Sequence, residues 1–118
     1  MSFRIILSAA AAALTLALVG AASASTPTLK GAVGPSFNIS LKTSAGKSVT
    51  KLKAGTYTII VSDKSPLHNF HLSGPGVSKT TTVAGTGTKT WTVKLKAGRY
   101  KFICDPHVAI MHGSFTVS

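Results

Sequence analysis

Trp91-Thr92-Val93-Lys94-Leu95-Lys96-Ala97-Gly98-Arg99-Tyr100-Lys101-Phe102-Ile103-Cys104 is the stretch whose reading decides the fold class. Apolar residues fall on every second position: Trp91, Val93 and Leu95 before Ala97-Gly98, then Tyr100, Phe102 and Cys104 after it. Period two sends each set to one face of a strand, toward a core, and leaves Lys94 and Lys96 pointing outward. The same alternation links Phe37, Ile39 and Leu41, then Tyr57, Ile59 and Val61, and finally Phe115 and Val117. Turn residues separate these runs at Ser44-Ala45-Gly46, Gly74-Pro75-Gly76 and Gly85-Thr86-Gly87. No stretch after Ser25 carries a helical period. The pattern predicts an all-β sandwich of seven to eight strands in one domain without a linker.

A six-residue motif occurs twice. Leu52-Lys53-Ala54-Gly55-Thr56-Tyr57 returns as Leu95-Lys96-Ala97-Gly98-Arg99-Tyr100. Two copies do not make a solenoid. They predict equivalent turns, each opening a strand of the sandwich.

The chain has 118 residues, room for one domain. Its first part belongs elsewhere. Arg4 precedes an apolar run from Ile5 to Val19, and Ala22-Ser23-Ala24 supplies the small-x-small pattern of a cleavage site. The run is short for a membrane span and lacks a basic stop-transfer cluster. Residues 1–24 are therefore expected to be a signal peptide and 25–118 the mature domain, exported to a periplasmic or extracellular space. No second apolar run follows, so no membrane span is expected after cleavage, and the mature chain is expected to be a monomer.

Thirteen Lys and Arg stand against two acidic residues, Asp63 and Asp105. Removing Arg4 with the signal leaves 12 minus 2, a formal charge of +10. Such a charge favours acidic partners. Nucleic acid is a poor fit, because the lysines are spread over many segments without interleaved aromatics.

Export favours paired cysteines, yet the chain has one, Cys104. An intermolecular bridge, an inert buried thiol and a metal thiolate are the alternatives. Its neighbours favour the third. Cys104-Asp105-Pro106-His107-Val108-Ala109-Ile110-Met111-His112-Gly113 puts thiolate, imidazole and thioether within eight residues at the end of a strand. Two His and one Cys with a weak axial Met is the donor pattern of a blue-copper site. Zinc accepts the same thiolate and imidazoles but uses Met poorly. The second histidine has to come from His68-Asn69-Phe70-His71. If this is a strand, His68 shares a face with Phe70 and Leu72 and is core-directed, while His71 points away. Asn69 is placed to brace the Cys104 loop through Asp105.

The His68-Asn69 pair with the distant Cys104-x-x-His107-x-x-x-Met111 loop resembles the cupredoxins, the plastocyanin and azurin group. The strand pattern extends the resemblance over the mature domain. It implies a Greek-key β-sandwich binding one copper ion, with His68, Cys104 and His107 as equatorial ligands and Met111 as the axial one. His112, beside Met111, is an alternative axial ligand. One-electron transfer is the implied activity, with copper delivery, buffering or sensing as the other reading. A multicopper oxidase lacks its His-x-His pairs here, so the chain is expected not to be an enzyme. An acidic redox partner is expected to meet an apolar patch of Pro106, Val108 and Ile110 around His107; the alternative is that Val108 and Ile110 simply cap the core.

Overall fold

The computed structural model describes residues 25–118, and the expected signal peptide lies outside the described residues. Nine strands follow one another: β1 Thr28–Val33, β2 Ile39–Thr43, β3 Lys51–Leu52, β4 Gly55–Asp63, β5 His71–Gly74, β6 Val77–Thr80, β7 Gly87–Leu95, β8 Gly98–Ile103 and β9 His112–Val117. They form two sheets, ordered β2-β1-β4-β7 and β3-β9-β8-β5-β6. The count exceeds the expected seven to eight because β3 has only two residues, too few to show a period. β1 pairs in parallel with β4, and β3 with β9, so the chain crosses between sheets rather than running as a simple meander. One 3-10 turn, Asp105–His107, is the only helical element among the described residues.

The alternating residues meet where period two sends them. Tyr57, Ile59, Val61, Val93, Leu95, Tyr100, Phe102, Cys104, Phe115 and Val117 are all buried between the sheets. Phe70 stacks on Phe102 at 5.7 Å and Tyr100 on Phe115 at 5.3 Å, the offset geometry aromatic rings prefer. Trp91 is partly buried against this core, 6.2 Å from Phe70. Phe37 departs from the expectation. It is 61% exposed, because β2 begins at Ile39 and the residues before it form a bend, not a strand.

The repeated motif is a repeated turn. Its glycines, Gly55 and Gly98, open β4 and β8 at φ 155° and 145°, where a side chain would be strained. In each copy the tyrosine returns to the turn it follows. The Tyr57 hydroxyl donates to the Lys53 carbonyl at 2.7 Å, and the Tyr100 hydroxyl accepts from the Lys96 N–H at 3.0 Å. β4 and β8 then carry the chain to the same end of the sandwich, where the conspicuous side chains gather.

Candidate metal centre

β8 and β9 are antiparallel, and their last pair is Ile103 with His112. Cys104 and Met111 are the next residues outward. The Cys104 N–H donates to the Met111 carbonyl at 3.0 Å, which continues the ladder one step. Alternation along the pair turns Phe102 and Gly113 inward, Ile103 and His112 outward, and Cys104 and Met111 inward again. Cys104 and Met111 are accordingly both fully buried, while His112 is exposed and holds the Val108 carbonyl through Nδ1 at 2.8 Å.

The six residues between them are tied into a compact loop. Pro106 lies in the 3-10 turn, where its fixed φ suits the first helical positions. His107 N–H donates to the Cys104 carbonyl at 3.1 Å, and Met111 N–H to the His107 carbonyl at 2.8 Å. His107 is thereby brought back over Cys104.

His68 arrives from the other side, on the segment between β4 and β5. His68, Asn69 and Phe70 are three consecutive buried residues, so no strand alternation operates there, and β5 begins only at His71. A polar framework fixes this segment instead. The buried Asp63 carboxylate accepts from Ser65 N–H at 3.1 Å and from the Thr81 hydroxyl at 3.0 Å. Thr81 Oγ1 accepts in turn from Phe70 N–H at 2.9 Å, and Ser65 Oγ accepts from Leu67 N–H at 3.1 Å. Asn69 spans to the other loop. Its Nδ2 donates to Asp105 Oδ2 at 2.7 Å and to Thr80 Oγ1 at 3.0 Å, and its Oδ1 accepts from Asp105 N–H at 2.8 Å. His71 is engaged away from the centre, with Nδ1 3.1 Å from Asp105 Oδ1 and Nε2 3.3 Å from Ser78 Oγ. The Asn69 amide holds the Asp105 carboxyl below the usual carboxylate range, and His71 adds to this through a hydrogen bond and its charge, while burial opposes it.

Three donor atoms converge. Cys104 Sγ is 3.7 Å from His68 Nδ1 and 3.6 Å from His107 Nδ1, and the two Nδ1 atoms are 3.1 Å apart. The point equidistant from all three lies about 2 Å from each, within the range of metal–imidazole bonds and slightly short for metal–thiolate. Two imidazole lone pairs facing each other repel, and a cation between them removes that cost. The set fits one copper ion, with His68, Cys104 and His107 able to hold it, and Met111 is buried beside Cys104 on the adjoining strand end.

Phe37 is the residue that sequence reasoning missed. Its ring stands edge-on to His68 at 5.2 Å and to His107 at 5.1 Å, shielding both imidazoles from one side. Its place in the period-two series pointed it to the core. The signal against that was Gly34-Pro35-Ser36 just before it, a turn sequence that delays the strand.

A β-sandwich with a buried Cys and two His closing one end defines a mononuclear copper-binding fold. The chain belongs to the cupredoxins: the model of the cupredoxin-like domain matches residues 8–117. Among solved structures it is similar to reduced rusticyanin, with a TM-score of 0.58 and 21% identity over 77% of this chain and 78% of that one. It is likewise similar to rusticyanin from Thiobacillus ferrooxidans, with a TM-score of 0.53 and 22% identity over 77% and 76% of the two chains. At these identities the likeness is one of fold. No curated protein sequence matches the chain significantly.

Proposed function

We propose that this protein is a type 1 copper carrier of single electrons and not an enzyme, with His68, Cys104 and His107 as equatorial ligands and Met111 as the axial one. The observation that carries the reading is the Sγ–Nδ1–Nδ1 triangle closed over a fully buried thiol. Bound there, copper supplies a one-electron Cu(I)/Cu(II) couple. The chain's own residues hold the donors in a fixed arrangement: the Asp63–Thr81 framework positions His68, and the Asn69–Asp105 bonds lock the Cys104 loop to it. Rigid donors limit rearrangement when the ion's charge changes.

Burial separates carrier from delivery module. Handing over an ion requires ligands that a second protein can reach. Here His68, Cys104 and Met111 are buried, and only His107 is partly accessible. One exposed ligand edge suffices for electron transfer. Around it Phe37, Leu67, Val108 and Ile110 are 61%, 67%, 50% and 64% exposed. At this exposure Val108 and Ile110 do not cap the core, and exposed apolar side chains on the segments around one ligand mark a contact surface. We assign it to a redox partner of acidic character, approached through the long-range field of the net positive charge. Export, through the expected signal peptide of residues 1–24, is part of the same reading.

The test is the visible spectrum of the purified protein with Cu(II). An intense blue or green colour that Cys104→Ser abolishes is expected. A colourless protein that takes zinc in preference to copper would overturn the proposal.

A further inference from the structure

The positive charge is unevenly placed. β4 and β8 both run toward the metal centre, so Gly55 and Gly98, where they start, mark the opposite end of the sandwich. The repeated turn sets Lys53 and Lys96 at this base, and the pairing of Gly55 with Leu95 puts the two turns side by side. Lys94 lies opposite Thr56, one step along. Lys51 is opposite Thr116, which is itself opposite Arg99, the neighbour of Gly98. Five exposed cationic side chains thus surround two adjoining turns.

Both acidic side chains are at the other end. Asp63 closes β4 and Asp105 follows Cys104, and each carboxylate already accepts internal hydrogen bonds. No Lys or Arg occurs in the segments 34–38, 65–69 and 105–113 that surround the metal centre. The domain therefore has a cationic base without an acidic side chain, while both carboxylates and the exposed apolar side chains lie at the metal end.

We infer that the base docks on an anionic lipid bilayer and holds the domain with its metal end turned away from the membrane. The chemistry of the cluster selects this occupant. Four of its five members are lysines, point charges without the planar fork that selects individual carboxylates or phosphates. They sit on turns and strand ends rather than in a cleft. The aromatic residues of the two turns, Tyr57 and Tyr100, are buried, with their hydroxyls bonded to backbone, so none is available to stack on a base or a sugar. What remains is diffuse attraction to an array of phosphates, which an anionic bilayer presents and to which each lysine contributes separately. The consequence for the proposed carrier is diffusion in two dimensions with its redox edge presented outward.

The experiment compares two quadruple variants of equal net charge, expressed from the whole reading frame and loaded with copper. One carries Lys51→Gln, Lys53→Gln, Lys94→Gln and Lys96→Gln at the base. The other carries Lys30→Gln, Lys64→Gln, Lys79→Gln and Lys89→Gln, exposed lysines elsewhere on the sandwich. Co-sedimentation with vesicles of mixed phosphatidylglycerol and phosphatidylcholine, or of phosphatidylcholine alone, is read from total protein, so the result is independent of whether the copper reading holds. The parent protein should bind only the mixed vesicles. The base variant should lose at least about tenfold in partitioning, and the second variant less than about threefold. Equal losses would reduce the effect to net charge and overturn the inference. So would binding to soluble polyphosphate but not to vesicles, or preferential capture of an acidic protein by the base. Thermal midpoints like the parent's in both variants exclude misfolding as the cause.

Discussion

Asn69 and Asp105 join two loops that are 36 residues apart in sequence by exchanging two hydrogen bonds, Asn69 Nδ2 to Asp105 Oδ2 at 2.7 Å and Asp105 N–H to Asn69 Oδ1 at 2.8 Å. Each partner is the chain neighbour of a donor to the metal centre, His68 on one side and Cys104 on the other. The pair therefore fixes the separation of those donors, whether or not an ion sits between them.

Replacing Asn69 by Ala removes both bonds and a third to Thr80. Asn69 is buried, so the Asp105 N–H is left without its acceptor and stability falls by about 1–3 kcal/mol. Copper affinity should drop by about 10–100-fold, as for other residues that orient metal ligands. Denaturant unfolding of the metal-free protein and competition with a copper chelator measure the two effects. Unchanged affinity would mean that the loops hold their spacing without this pair.

Thr81 has a comparable role on the other side of His68. Its hydroxyl both accepts from Phe70 N–H and donates to the buried Asp63 carboxylate. Thr81→Val keeps the shape and deletes both bonds, leaving a buried N–H and one carboxylate oxygen short of a partner. A loss of about 2–4 kcal/mol is expected from two such defects, one at a charged group. Thr81→Ser should restore most of it. Equal unfolding midpoints for the Val variant and the parent would show that other groups satisfy Asp63.

The sandwich was legible in the sequence because period two is a direct consequence of the pleat. From Tyr57 onward every residue read in this way is buried except Trp91, which is partly buried against the core. Where strands end, that logic stops. His68 was assigned inward by alternation with Phe70 and Leu72, and it is buried, but Asn69 between them is buried too. The segment is held by Asp63, Ser65 and Thr81, long-range partners that no local pattern reveals. Phe37 failed for a related reason, since a bend before β2 released it from the alternation. The choice between Met111 and His112 is legible in the same alternation. Met111 has the parity of Phe115 and Val117, and His112 the opposite one.

That parity makes the axial position testable. Met111 is inward and buried, whereas His112 is exposed and bonded to the Val108 carbonyl. Met111→Gln should lower the reduction potential, because an amide oxygen is a harder donor than a thioether and favours Cu(II). His112→Ala should leave potential and colour unchanged. In the same spectra His68→Ala should lose the blue band and His71→Ala should keep it, since both His71 nitrogens are engaged elsewhere. A larger potential shift from the His112 variant would reverse the axial assignment.

Phe37 bears on how the centre meets its partner. The ring lies across the edges of both imidazoles and is itself largely exposed, so it is at once a lid on two ligands and part of the apolar patch. Phe37→Ala uncovers His68 and His107 to water without removing a donor atom. Water stabilises the higher charge of the Cu(II) site more than that of the Cu(I) site, so the reduction potential should fall. A tenfold change in preference between the two states corresponds to about 59 mV for one electron, and a shift of up to about that size is expected. The electron self-exchange rate should fall as well, because two molecules meeting at this end lose apolar contact. Phe37→Leu retains bulk and should preserve most of both properties. The folded stability should change little, because the exposed ring contributes little to the core. If Phe37→Ala left both potential and self-exchange at parent values, the ring would be a bystander and the contact surface would consist of Leu67, Val108 and Ile110 alone.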